Sequence, residues 1–316
     1  MRLLIILAAV ILYLFISKIE SIDQYLRYKN LPVEIDNSIP DKFIPDTVRL
    51  NELRFISTHN SYHLESNFLK LFLIRLFEPD EADGLKYSHP PLYRQLEAGI
   101  RGFELDVRYV WGRFVTMHVP VVDNSSNSPD VELALKEVIR WSDNHPGHIP
   151  VIIIVELSRE WNTFYLAQKK WDVGLLLKFD KLVTNTLKEK AIKPRDLENG
   201  YPELKDIRGK IAVVFMADSD IVHIFGKKYK QNRKATFMMV DCKTPAKDIR
   251  FVKRDNPFSS DIDSLVQNGY IVRTRADAGL VKDSARMSRA LNSKAQIIST
   301  DFMDLGKVFN KKTPNN

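Results

Sequence analysis

Four apolar runs in the first half of this chain each stop at a side chain able to do chemistry. L-R-F-I-S-T leads into His59-Asn60, F-E-L-D-V carries Glu104 and Asp106, V-T-M leads into His118, and V-I-I-I-V leads into Glu156. Period-two spacing puts Glu104 and Asp106 on one face of a strand. Buried carboxylates that share a face are costly unless a cation or hydrogen bonds compensate. With the amide oxygen of Asn60 and the carboxylate of Glu156 they make an all-oxygen ligand set, which suits Ca2+ with water and substrate completing its shell. Mg2+ is the alternative, whereas Zn2+ would draw more histidine or cysteine. His59 and His118 fall at the same strand ends, and two histidines beside a phosphodiester can share the proton and charge work of an in-line displacement.

Each residue also has a plainer reading. Glu104 and Asp106 could form a structural cluster with Arg101 or Arg108, and Glu156 could reach solvent from a strand end. Asn60 alone reads as a turn or cap residue, and either histidine alone as a satisfied core side chain. The joint spacing, rather than any one residue, carries the argument. His63, His89, His145, His148 and His223 fall in loop or helix-end contexts and keep the plainer reading.

The elements that must position these groups alternate in the manner of a β/α protein. Strands are predicted over 52–57, 101–108, 114–118, 150–157, 210–216, 235–240, 270–275 and 296–300, which suggests a barrel. Helical patterns lie between them at 90–99, 130–144, 163–191, 259–268 and 281–293. The stretch from Tyr109 to Arg113 is too short for a parallel crossover and reads as a hairpin around Trp111-Gly112. Its register would set His118 opposite Glu104 and Thr116 opposite Asp106.

The chain has 316 residues, 44% of them hydrophobic, and no repeat or linker divides it, so a single catalytic domain is expected. A formal charge of +7 favours an anionic partner. The basic residues are scattered, with modest clusters at Lys227 to Lys234 and Lys307 to Lys312, and read as solvated surface rather than as a nucleic-acid footprint. No obligate protein partner is indicated. Cys242 is the single cysteine, which excludes an intramolecular disulfide and a cysteine-based zinc site.

Residues 3–16, L-L-I-I-L-A-A-V-I-L-Y-L-F-I, are uncharged and apolar between Arg2 and Lys18. They match an export signal, read first as an uncleaved anchor, then as a cleaved signal or a buried terminal helix. The chain therefore divides into a signal or membrane-anchor segment (1–19), a polar stalk (20–46) and a catalytic barrel (47–310). The barrel is expected outside the cytoplasm, membrane-anchored or secreted. Residues 68–77, F-L-K-L-F-L-I-R-L-F, read as a helix packed on the barrel, with dipping into a lipid interface as the alternative.

T-H-N-S-Y-H, Q-L-E-A-G-I-R-G-F-E-L-D-V, the hairpin to His118, and H-P-G-H-I-P-V-I-I-I-V-E together resemble the calcium-dependent phosphatidylinositol-specific phospholipases C. Y-I-V-R-T-R-A-D-A and A-Q-I-I-S-T-D-F extend the resemblance over roughly residues 50–305. It implies an irregular TIM-type (β/α)8 barrel with its site at the C-terminal ends of the strands. It implies further that His59 stabilises the phosphoryl transition state, that His118 is the acid/base, and that Asn60, Glu104, Asp106 and Glu156 hold calcium. Glu104 would assist as base towards the inositol hydroxyl. Arg273, Arg275 and Asp301 are candidate contacts to phosphate or inositol, the alternatives being salt bridges and a turn cap. The implied reaction cleaves a membrane phospholipid, phosphatidylinositol, to diacylglycerol and a cyclic inositol phosphate.

Two rivals stand beside this reading. A glycerophosphodiester phosphodiesterase shares the E-x-D, hairpin and histidine arrangement, but has H-R-G where this chain has His59-Asn60-Ser61. A membrane-tethered lipid-binding barrel without turnover is the non-enzymatic rival, and the intact histidines and ligands speak against it. The signalling phospholipases of animals carry lysines for ring phosphates after their Gly-basic pair. Here Gly209-Lys210 leads into I-A-V-V-F-M-A-D without one, which speaks against polyphosphoinositides.

Overall fold

β-Branched runs such as V-I-I-I-V and I-A-V-V-F pack well on a pleated surface, and each of them is a strand. A computed structural model describes residues 18–35, 39–66, 71, 75, 84–120, 123–158, 168–217, 228–243, 245–246 and 248–303. Its strands are β1 (Phe55–Thr58), β2 (Gly102–Val110), β3 (Arg113–Thr116), β4 (Val151–Leu157), β5 (Gln168–Lys169), β6 (Ile211–Ala217), β7 (Thr236–Val240), β8 (Phe251–Lys253), β9 (Ile271–Arg275) and β10 (Ile297–Thr300). Among the described residues these make one 10-stranded sheet. β3 and β5 pair antiparallel with β2 and stay outside the ring. The other eight run parallel and close on themselves, because β1 bonds both β10 and β2. The protein is therefore the α/β barrel expected.

The helices are α1 (Leu92–Glu97), α2 (Val131–Asn144), α3 (Val173–Leu187), α4 (Leu204–Ile207), α5 (Ile262–Gln267) and α6 (Ser284–Asn292). Asp130 and Asp172 cap α2 and α3 by accepting from the N–H groups of Leu133 and Leu175 at 3.0 and 2.7 Å. The described residues of 241–250, between β7 and β8, form no helix, which makes the barrel irregular.

Strand alternation sorts the core. Phe103, Leu105, Val107, Val151, Ile153 and Val155 face the helices, while Phe55, Ile152, Ile154, Val214, Met239 and Ile297 fill a separate cluster inside the ring. Glu104, Asp106 and Glu156 continue the inward set towards the C-terminal ends of their strands. At the β1–β2 seam only Ser57↔Gly102 and Thr58↔Phe103 pair. A Cβ on Gly102 would sit 2.6 Å from that of Ser57, so glycine is what lets the seam close.

Several sequence expectations need correction. The predicted strand at 114–118 is the antiparallel β3, outside the ring, and its place is taken by β8, which was not foreseen. Residues 52–57 begin as a 3-10 turn, Leu50–Glu52, and the strand starts at Phe55. Gln168–Lys169, inside the expected helix 163–191, pairs with β2. The hairpin register is one residue away from that predicted, with Thr116 opposite Val107. Trp111 and Gly112 both take positive φ, 45° and 84°, so the turn has two central residues and recentres the pairing.

The described residues of 20–46 lie against the barrel. A leading helix over residues 18–30 buries Gln24 and packs on α2, and Asp41 is buried in an ion pair with Arg101 at 2.5 Å. The apolar run at 3–16, most of 68–77, and Lys307 to Lys312 lie outside the described residues.

Candidate active site

The T-H-N-S turn after β1 is fixed to β2 through backbone and hydroxyl groups. Ser61 N–H donates to the Glu104 carbonyl and Ser61 Oγ accepts from Glu104 N–H, both at 2.9 Å. Thr58 Oγ1 lies 2.7 Å from Ser61 Oγ and donates to Gln95 Oε1 at 2.6 Å. Asn60 takes φ 45°, a left-handed conformation that asparagine tolerates better than most residues, and its side chain is buried.

Beside this turn, Glu104, Asp106 and Glu156 each offer a carboxylate oxygen, and these atoms lie within 4.8 Å of one another. Asp106 and Glu156 are register partners on β2 and β4. Burial pushes the Asp106 carboxyl up, and the Glu104 charge adds to this against the opposing pull of His118. Its Oδ1 is buried without a hydrogen-bond partner. An orphaned carboxylate oxygen inside a carboxylate cluster is what a hard cation would satisfy, so the residues present fit Ca2+.

Neither Arg101 nor Arg108 neutralises this cluster. Arg101 pairs with Asp41, and Arg108 donates to Gln168 Oε1 at 3.0 Å and to the His118 carbonyl at 2.6 Å. The cation is Arg273, 1% exposed, which donates to Glu104 Oε2, to Asp255 and to Ser299 Oγ. Burial opposes the Glu104 charge, but Arg273 outweighs it and holds the carboxyl below its ordinary value.

Both histidines are fixed by an aspartate. His59 Nδ1 lies 2.8 Å from Asp301 Oδ1, which leaves Nε2 3.6 Å from Glu104 Oε1. Burial works against the Asp301 charge, yet the His59 bond and Arg275, 3.3 Å away, hold it well below the usual carboxylate range. His118 Nδ1 lies 2.9 Å from Asp123 Oδ2. Burial alone would push His118 down, but Asp123 and the charge of Asp106 raise it to about 9. Asp123 is itself anchored by His63 Nε2 at 3.1 Å and by Ser66 Oγ at 2.8 Å.

The structure thus gathers His59, Asn60, Glu104, Asp106, His118 and Glu156 at one end of the ring, with Arg273 and Arg275 on β9 and Asp301 just after β10. Arg273 is enclosed beneath Glu104, while the Arg275 side chain is 17% exposed and nearer the mouth. Sequence reasoning missed Asp123, Asp255 and the supporting role of His63. The one available signal was an aspartate five residues after His118, inside a polar loop that a turn already explains. A cavity of about 690 Å³ at the opposite end of the strands is lined by Lys193, Arg195, Lys230, Arg233, Lys234 and Arg250, and includes none of the site residues.

Solved structures show the same fold. A calcium-dependent phosphoinositol-specific phospholipase C from a Gram-negative Pseudomonas species is 16% identical, with a TM-score of 0.58 over 85% of this chain and 96% of its own. A Ca2+-dependent phosphatidylinositol-specific phospholipase C from Streptomyces antibioticus is 16% identical, with a TM-score of 0.57 over 83% and 98%. The phosphatidylinositol-specific phospholipase C of Listeria monocytogenes is 17% identical, with a TM-score of 0.54 over 88% and 100%. No curated protein matches the chain in sequence. The profile of the Ca2+-dependent phosphoinositide phospholipase C family matches residues 48–110 and 112–312. With that match over most of its length, the chain belongs to this family of phosphodiesterases.

Proposed function

We propose that the protein cleaves phosphatidylinositol, releasing diacylglycerol and a cyclic inositol phosphate that water then opens. The observation that carries the reading is the pair of histidines, each fixed by a buried aspartate, at the cluster of Glu104, Asp106 and Glu156. Glu104 Oε1, the oxygen that Arg273 leaves open, accepts the proton of the inositol hydroxyl next to the phosphate. That hydroxyl oxygen bonds phosphorus, the bond from phosphorus to the glycerol oxygen breaks, and His118 Nε2 gives its proton to the leaving diacylglycerol. His118, then neutral, takes a proton from the water whose oxygen bonds phosphorus; the bond from phosphorus to the inositol oxygen that attacked breaks, and Glu104 returns its proton to that oxygen. His59 Nε2 donates to the phosphoryl oxygen on which charge develops. Asn60, Glu104, Asp106 and Glu156 would hold Ca2+, which lowers the pKa of the attacking hydroxyl and neutralises charge on phosphorus. Arg275 and Asp301 contact phosphate or inositol hydroxyls, and Arg273 holds Glu104.

A membrane-anchored or secreted, extracytoplasmic enzyme fits the apolar run at residues 3–16. Among the described residues no helix is long and apolar enough to cross a membrane. The test is hydrolysis of phosphatidylinositol in mixed micelles with calcium or chelator, beside phosphatidylcholine, glycerophosphoinositol and the His59→Ala variant. Calcium-dependent inositol phosphate release that His59→Ala abolishes is the expected result. Turnover of glycerophosphoinositol alone, or binding without turnover, overturns the reading.

A further inference from the structure

The leading helix runs parallel to α2, and, apart from the bond from Arg27 to Asn127, its contacts fall in order along both. Gln24 bonds the backbone N–H and C=O of Asp130, each at 2.9 Å. Arg27 donates to the Asn127 carbonyl and lies 3.5 Å from Glu137. Arg140 donates to the Tyr28 carbonyl at 3.3 Å, and Asn144 to the Pro32 carbonyl at 2.6 Å. The far end of α2 leads through residues 145–150 into the start of β4, so its N-cap, Asp130, stands at the catalytic end of the barrel. The amino end of the leading helix therefore points to the mouth. Residues 18–23 carry it roughly 9 Å past Gln24 at 1.5 Å per residue. In the sequence, the uncharged apolar residues 3–16 precede the helix.

The outer face there is apolar and exposed. Ile19, Ile22 and Leu26, at helical spacing, are 49%, 49% and 51% exposed. The hairpin stands at the same end of α2, because the Asp130 that Gln24 holds also pairs with Arg113 at 2.6 Å. Two residues before Arg113, Trp111 is 72% exposed at the tip. Contiguous exposed apolar side chains at one rim mark an interaction surface. A tryptophan at the same end as an aliphatic helical stripe, which an apolar run precedes in the sequence, fits the interfacial layer of a bilayer.

We infer that the leading helix is a strut that holds the mouth of the barrel against a lipid bilayer, with Ile19, Ile22, Leu26 and Trp111 seated in its interfacial layer. The inference rests on the reading that the substrate is a membrane lipid. Docked rigidly on α2, the strut lets a lipid head group reach His59 and His118 without its chains leaving the bilayer.

The test uses the full chain with Cys242→Ser and one new cysteine at Ile22, Trp111 or Lys205, each carrying a fluorophore. Lys205 is exposed on α4 at the opposite end of the barrel. The vesicles are phosphatidylcholine and phosphatidylinositol with nitroxide-labelled lipid. Quenching severalfold stronger at positions 22 and 111 than at 205 is expected. Equal quenching at all three, or stronger quenching at 205, overturns the inference. The pair Ile22→Asp and Leu26→Asp should slow turnover in vesicles by about tenfold and leave a soluble short-chain substrate unaffected. Quenching at 22 and 111 without any turnover sustains the seating and overturns the substrate reading, so the two failures separate.

Discussion

Replacing Asp123 with asparagine tests whether His118 is the proton donor. The substitution keeps the shape of the side chain and an oxygen for the His118 Nδ1–H, now 2.9 Å away, while removing the charge. At about 4 Å and an effective dielectric of about 20, a full charge is worth about 4 kcal/mol, or about three pKa units, as an upper bound. Asp106 also raises His118, but a bound cation takes up much of that contribution, so Asp123 is what keeps His118 protonated in the working enzyme. The alkaline limb of the kcat profile, set by a group raised to about 9 before any cation binds, should move down by about two pH units in Asp123→Asn. Turnover above that limb then falls by about a hundredfold, while the acid plateau falls by less than about tenfold. The assay is initial-rate release of inositol phosphate from phosphatidylinositol across pH at saturating calcium, with a thermal melt to confirm folding. An even loss at every pH, with the limb unmoved, would refute the assignment of His118 as acid.

Other consequences follow from buried charge. Calcium at about 100 times its dissociation constant should stabilise the fold by about 2.7 kcal/mol. Asp106→Asn should abolish that gain while stabilising the calcium-free protein, because it removes a carboxylate whose buried charge is disfavoured; calorimetry with and without chelator reads both effects, and an intact calcium response would sink the ligand assignment. Arg273→Met should cost about 3–5 kcal/mol without calcium, since Glu104 is left as an uncompensated buried charge; urea unfolding measures it, and a loss below about 1 kcal/mol would show that the pair does not hold Glu104. His148 is buried against Ser142 and the Ile149 carbonyl, and burial, aided by Arg101, pushes it down to about 3. Its neutral form stabilises the fold fully above about pH 6.5, and that stability is lost as pH falls towards 3, reaching about 3 kcal/mol at pH 4.5. His148→Asn should therefore show a correspondingly smaller drop between pH 7 and 4.5 in urea unfolding.

What the sequence disclosed depended on whether a residue's partner lay within reach of local pattern. Glu104 and Asp106 share a face because they are two apart on one strand, and Glu156 joins them because β2 and β4 pair in register. His118 also reaches the site, but not by the alternation expected of it. β3 stops at Thr116, and the loop that turns at the Val119↔Asp123 bridge sets the ring against Asp123. β8 was invisible because three residues flanked by Arg250 and Arg254 show no periodicity, and β7 and β9 draw them into the sheet. Arg273 and Glu104 stand 169 positions apart, so nothing local could pair them.

The seam between β1 and β2 shows why the site sits where local legibility ended. Closing the barrel there leaves two paired positions, and Gly102 is the residue that removes the obstruction opposite Ser57. The close approach brings the Thr58 to Ser61 turn onto Glu104, so the backbone that ends β1 is bonded to the strand that carries two carboxylates. Inside the ring the lower layers are apolar, and burial there holds the strands in place without regard to the mouth. The upper layer is polar and charged, and two of its groups are answered from other strands: Glu104 by Arg273 of β9, and His59 by Asp301 beyond β10. The cross-strand pairs therefore make ring closure and site assembly one event. In that arrangement Asp106 Oδ1 is left without a protein partner, and a cation is the group whose binding would complete the closure.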